Sequence, residues 1–266
     1  MLPWIIICTA IFFIGLSKSG LGAGLGLIVV PIVAVTLDYT PLGSKAALGL
    51  LLPLLILGDV ISLTQYRKIF DFSKVRSLVI PTAVGVGIGS LLLYSIHNTG
   101  NDKLIAALLR LEIGLESIFL VSLHWWRQYK GMQQSLMPEP RRSWITGIFI
   151  GVSTTLAHAA GPIMTAFLLP LKLERRVFVG TVAVFFFFVN SSKLPAYYFA
   201  GQFDSVPYAL VLKLAPLVVL GALCGFWLIK RLTDQSFFRF VYIAVFVIGV
   251  YLVGESVWML VRLQRV

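Results

Sequence analysis

Residues 15–26 read Gly15-Leu-Ser-Lys-Ser-Gly-Leu-Gly-Ala-Gly-Leu-Gly26, and residues 151–162 read Gly151-Val-Ser-Thr-Thr-Leu-Ala-His-Ala-Ala-Gly-Pro162. Each lies inside an apolar stretch, residues 2–37 and 144–171. Both stretches exceed the roughly 17–25 residues of one straight membrane crossing. Small and polar residues at their centres let a helix stop and restart, as in the interrupted helices of secondary transporters. Each stretch is therefore expected to be a pair of shortened helices hinged at a break.

Composition sets the solvent around them. Of 266 residues, 58% are hydrophobic and only 12% charged, with a mean hydropathy of +0.92. A soluble domain carries roughly 25% charged residues, so this chain has too few to clothe a water-facing surface. The net charge of +11 does not point to nucleic acid, because no basic face or binding motif accompanies it. Basic residues fall instead in short clusters between apolar runs, where they act as topology signals. Cys8 and Cys224 both lie in apolar runs; they exclude a disulfide framework or a cysteine metal site and read as two small buried thiols. Leu2 to Leu16 has no basic residue before it, and the apolar sequence resumes after Lys18, so this segment is expected to stay in the mature protein.

Six further stretches read as simple spans: 46–64, 75–96, 104–124, 177–199, 207–229 and 237–261. Lys and Arg concentrate in four connections, marked by Arg67, Lys68, Lys74 and Arg76, by Arg127, Lys130, Arg141 and Arg142, by Lys172, Arg175 and Arg176, and by Lys230 and Arg231. These are assigned to the cytoplasm. The connections near 38–45, 97–103 and 200–206 are poor in positive charge and are assigned outside. Such alternation holds only if both broken stretches are hairpins returning to the side they left. The reading is an all-α integral membrane protein of ten membrane segments, or eight with each hairpin counted once, with both termini outside.

The sequence also matches itself. Gly15, Ser17 and Ala23 correspond to Gly151, Ser153 and Ala159 at an offset of 136, Phe70-Asp71 to Phe203-Asp204 at 133, and Pro81 to Pro216 at 135. Residues 1–125 and 143–266 thus read as two repeats, each a broken hairpin plus three spans, joined by a cytoplasmic linker at 126–142 containing Pro138 and Pro140. Loop charges orient the halves oppositely, which is the inverted-repeat layout of secondary transporters with substrate bound at the breaks.

A helix restarting inside the membrane aims unpaired N–H groups and a positive dipole end at the gap. One restarts after Gly20 to Gly26, passing Gly22 and Gly24, and the other after Gly161, with Pro162 suited to a first turn. Two such ends favour an anion. Ser17, Ser19, Ser153, Thr154 and Thr155 add hydroxyls beside Lys18 and His158, and Asn190-Ser-Ser-Lys193 forms a second polar knot inside a span. Ionisable groups at that depth are candidates for function. Blander roles stay open: Lys18 as a snorkelling cation, His158 as a packing histidine, the serines as caps, the glycines as close-packing positions. Glu112 and Glu116, four apart on one helix face near Arg110, either relay protons or form a structural ion pair. Asp59, with Tyr66 and Arg67, reads as an anchor near the cytoplasmic interface, and Trp125 and Trp126 as an aromatic belt. No cofactor and no metal is expected.

At these residues the chain resembles the TauE/SafE sulfite exporter family. The resemblance rests on the run from Gly15 to Gly26 followed by Pro31, and on Ala160-Gly161-Pro162, Thr181, Asn190-x-x-Lys193 and Tyr198-x-x-Gly201. It implies a multi-pass plasma-membrane carrier, mostly bacterial, for sulfite, sulfoacetate, other organosulfonates or related sulfur anions. The glycine-rich run in that family often carries three adjacent glycines, where Ala23 and Leu25 interleave here. Resemblance and charge together single out Lys18, Asn190 and Lys193 as anion contacts. The partners expected are a small anion and the lipid bilayer, with a homodimer left open. An enzyme is disfavoured by the absence of Gly-x-Ser-x-Gly, His-Glu-x-x-His and phosphate-loop motifs. A passive anion channel and a non-transporting scaffold subunit are the remaining alternatives.

Overall fold

The computed structural model describes residues 2–21, 26–43, 46–99, 107, 111, 114–115, 118–119, 121–122, 125–126, 129–130, 139–168, 171, 173–231 and 233–263. Among them there are helices and turns and no strand. In lipid every backbone polar group needs an internal partner, which an α-helix supplies within one segment. The helices are α1 (Leu2–Leu16), α2 (Gly26–Leu37), α3 (Ala46–Gln65), α4 (Arg76–Thr99), α5 (Glu139–Ala157), α6 (Gly161–Leu168), α7 (Arg175–Phe199), α8 (Tyr208–Arg231) and α9 (Asp234–Leu263). Between α4 and α5, described residues such as Ala107, Leu111 and Gly114 are also helical.

Five helices are long and apolar enough to cross a membrane: Leu2–Gly20, Ala46–Gln65, Arg76–Ser95, Arg175–Phe199 and Tyr208–Arg231. All five fall on expected spans or on the first broken stretch within a few residues, α7 beginning at Arg175, two residues before the expected 177. The span expected at 104–124 lies mostly outside the described residues. The second broken stretch starts earlier than expected, at Glu139, because Pro140 fits a first helical turn; part of the expected linker is thus helix.

Polarity is inverted relative to a water-soluble fold. Leu91, Leu212 and Phe199 are 71%, 73% and 80% exposed, while Asp59, Lys193, Ser19 and Thr181 are all at 0%. Lipid receives the apolar side chains and the protein interior keeps the polar ones. Cys224 follows this rule and corrects the expected burial of both thiols: it is exposed and Cys8 half-buried, since an apolar residue can face lipid as well as the core.

Helices approach one another through glycine. α1 packs on α8, where a Cβ on Gly15 would sit 2.0 Å from the Val218 carbonyl oxygen and one on Gly221 the same distance from that of Phe12. α4 packs on α5, where a Cβ on Gly151 would sit 2.4 Å from the Thr82 carbonyl oxygen and one on Gly85 2.3 Å from that of Ile148. Without side chains between them the backbones close to van der Waals contact, the main source of helix association where lipid offers no hydrophobic drive.

Two large apolar clusters result, with a smaller third around Leu52, Leu93, Leu156 and Tyr197. One joins α1, α2 and α3 with α8, and the other joins α4, α5, α6 and α7 with parts of α9. The second broken stretch is a hairpin: Arg142 Nη2, near the start of α5, donates 2.8 Å to the Phe167 carbonyl near the end of α6. Its guanidinium also lies 4.7 Å from the Phe167 ring centre. One side chain thereby ties the hairpin's two feet and satisfies a terminal carbonyl that α6 leaves open.

Candidate functional site

α1 does not simply end at Leu16. Ser17–Leu21 continue as a π-helical turn, a distortion frequent at functional sites. It turns Lys18 and Ser19 toward α3. Lys18 Nζ lies 2.7 Å from Asp59 Oδ1, and Ser19 Oγ lies 2.7 Å from Ser62 Oγ. The Tyr66 hydroxyl donates to the Ser19 carbonyl in the π turn. On the other side of Asp59, Asn190 Nδ2 from α7 donates 2.7 Å to Oδ2. A buried carboxylate needs such partners on both oxygens.

The second break is built differently. α5 ends at Ala157, His158 takes a left-handed φ of 52°, and α6 begins at Gly161. Histidine tolerates this region better than most side chains. Its turn sends the imidazole inward, where Nε2 lies 3.2 Å from the Leu48 carbonyl and Nδ1 lies 2.9 Å from Lys193 Nζ. A carbonyl only accepts, so the network assigns the proton to Nε2 and leaves Nδ1 to accept from Lys193. Lys193 also donates to the Thr154 carbonyl at 3.0 Å and to Thr154 Oγ1 at 3.1 Å. Its hydrogen-bond partners are thus all neutral.

The two breaks open on one cavity of about 30 Å³, lined by Ser17 and Lys18 from the first, Thr154, His158 and Gly161 from the second, and Asn190 between them. Such a volume holds about one or two waters. The side chains around it bring two amines, Lys18 and Lys193, against one carboxylate, Asp59.

The family model described as sulfite exporter TauE/SafE matches residues 7–252, nearly the whole chain. The chain belongs to the TauE/SafE family. No curated protein and no solved structure matches it. Family membership together with the apolar helices makes it a multi-pass membrane protein of a transporter family rather than of an enzyme family.

Within this TauE/SafE chain the structure gathers Ser17, Lys18, Thr154, His158, Gly161 and Asn190 at one cavity, with Lys193 one hydrogen bond behind it. Ser153 is buried, and Pro162 occupies the first turn of α6. Ser19 and Thr155 are buried but turned away: Ser19 bonds Ser62, and Thr155 Oγ1 donates to the Gly151 carbonyl. Gly22, Gly24, Glu112 and Glu116 lie outside the described residues. Lys18 is no snorkelling cation, because its ammonium is held by a carboxylate at 0% exposure. His158 is buried at the break itself, with both ring nitrogens hydrogen-bonded.

Two expectations are corrected. Asp59 and Tyr66 read as interface anchors, yet both are buried and both serve the first break. Asp59 stands six residues before the end of α3, about 9 Å along its axis, deep enough for the costs of intramembrane charge to apply. A signal for them existed. Asp59, Ser62 and Tyr66 are spaced i, i+3 and i+7, one helix face, and Asn190, Lys193 and Tyr197 repeat that spacing at an offset of 131. The likeness extends to bonding: the Tyr197 hydroxyl donates 2.5 Å to the Thr155 carbonyl, as Tyr66 does to Ser19.

Proposed function

We propose that the chain is a secondary transporter carrying a small sulfur-containing anion, such as sulfite, sulfoacetate or another organosulfonate, across the plasma membrane by alternating access. The anion binds between the two broken hairpins, with Lys18, Asn190 and Lys193 as its principal contacts. The observation that carries this reading is the shared cavity: both breaks line it, and two amines face one carboxylate around it.

Alternating access needs two halves able to exchange conformations, and recurring contacts support an inverted repeat over 1–125 and 143–266. Gly15 meets Val218 as Gly151 meets Thr82, and Gly221 meets Phe12 as Gly85 meets Ile148, each pair related by an offset of 136 with the halves trading roles. A Cβ on Gly49 would sit 2.0 Å from the Gln202 carbonyl oxygen, as one on Gly180 would sit 2.1 Å from that of Ile69. On this reading there are ten membrane segments, with the 126–142 linker in the cytoplasm and both termini outside.

Purified protein in liposomes is expected to take up labelled sulfite with saturation and to show counterflow when preloaded with unlabelled sulfite. Flux without saturation or counterflow identifies a channel, and no flux at all identifies a non-transporting subunit; either result overturns the carrier reading.

A further inference from the structure

Asp59 occupies a position that the anion must contest. Its two oxygens hold Lys18 at 2.7 Å and Asn190 at 2.7 Å, which are two of the three side chains assigned to the substrate. An anion reaching both donors meets a second anion already bound to them, inside a cavity with little room for screening water. Two like charges sharing one site cannot both persist there, and the usual relief is that one of them takes a proton.

We propose, resting on the anion-carrier reading above, that Asp59 is the proton-binding site of this transporter and that one proton enters with each monoanion. The proton comes from the aqueous side on which the cavity opens and is taken up by an Asp59 carboxylate oxygen. Lys18 and Asn190 then turn their N–H groups from Asp59 to the anion, and the neutral carboxyl O–H gains an acceptor in the anion. Before binding, Lys18 is balanced by Asp59; afterwards it is balanced by the anion. Because anion and proton enter together, the site's net charge is the same before and after binding.

The surroundings leave few other groups for this role. Facing Asp59 are Lys18 from the π turn and Asn190 and Lys193 from α7, with His158 of the second break beyond Lys193. Along α2 there is no titratable residue. On α8, Tyr208, Lys213, Cys224, Lys230 and Arg231 are exposed and turned away. Lys193 and His158 bond each other and Thr154 rather than the carboxylate. Among the described residues, Asp59 is the carboxylate whose partners are the proposed substrate contacts.

The test uses methanesulfonate, whose charge stays at −1 while sulfite itself would titrate. Binding to the purified full-length protein is measured from about pH 5 to about pH 9, with proton uptake followed in weak buffer by an indicator dye. Because binding takes up a proton, affinity rises as pH falls: the wild type is expected to lose about tenfold in affinity per pH unit above the titration of Asp59 and to absorb about one proton per anion. Asp59→Asn is expected to bind with no pH slope and no proton uptake. Binding by the wild type without proton uptake overturns the coupling role and leaves the carrier reading standing, as does a slope that persists in Asp59→Asn. Absence of methanesulfonate binding at every pH overturns both. Should Asp59→Asn fail to fold, the wild-type proton stoichiometry decides alone.

Discussion

Lys18→Ala is expected to destabilise the protein by about 3–5 kcal/mol, the range for removing one partner of a buried ion pair. Asp59 has 0% exposure and its Oδ1 has Lys18 as its hydrogen-bond donor. Alanine leaves that oxygen without a countercharge in a medium where water cannot replace it. Most of the loss therefore belongs to the orphaned carboxylate rather than to missing lysine contacts. Adding Asp59→Asn removes the stranded charge, so the double variant is expected to melt well above Lys18→Ala alone. Thermal melts in detergent for the three variants form a double-mutant cycle. A Lys18→Ala protein as stable as wild type, or a double variant no better than the single, would show that the pair does not hold the first break to α3.

Lys193→Met is expected to give a different signature, with a smaller loss of stability, about 1–3 kcal/mol from the His158 Nδ1 left without its donor, and with anion affinity lost. Lys193 hydrogen-bonds to neutral groups, so no charge is orphaned by its removal. The Thr154 carbonyl keeps the His158 N–H at 3.0 Å, and methionine, unbranched and flexible, fills the vacated channel. What is lost is the amine left uncompensated by any carboxylate bonded to it. Truncating a buried charged contact costs about 2–5 kcal/mol of binding, roughly 30- to 3,000-fold in Kd. Isothermal titration with sulfite on wild-type and variant protein measures it. Equal affinities would remove Lys193 from the anion's contacts.

The two lysines show what the sequence did and did not make legible. Membrane character and most helix limits follow from apolar runs of about 20 residues, and the breaks follow from Gly, Ser and Pro where such runs are too long. Which face of each helix points inward is harder to read, because lipid and protein core are both apolar. α3 is apolar on nearly all sides, so hydropathy set Asp59 near an interface while packing set it at the centre. The misplacement of Tyr66 has the same cause: it lies one residue beyond α3, where an amphipathic ring usually meets headgroups, but its hydroxyl bonds the Ser19 carbonyl of the π turn. Lys18 and Asn190 were legible as polar residues at intramembrane depth. Their common partner was not, because the contact joins residues 131 positions apart. The i, i+3, i+7 spacing shared by Asp59, Ser62 and Tyr66 and by Asn190, Lys193 and Tyr197 carried that information in the sequence itself.

The most direct measurement is to locate the anion. Crystals of the full-length protein grown with 2-bromoethanesulfonate, whose bromine scatters anomalously, are expected to show a bromine peak in the cavity between the hairpins, with the sulfonate within hydrogen-bonding distance of Lys18, Asn190 and Lys193. An anomalous peak confined to other sites, with the Asp59 cluster unchanged at saturating ligand, would contradict the account.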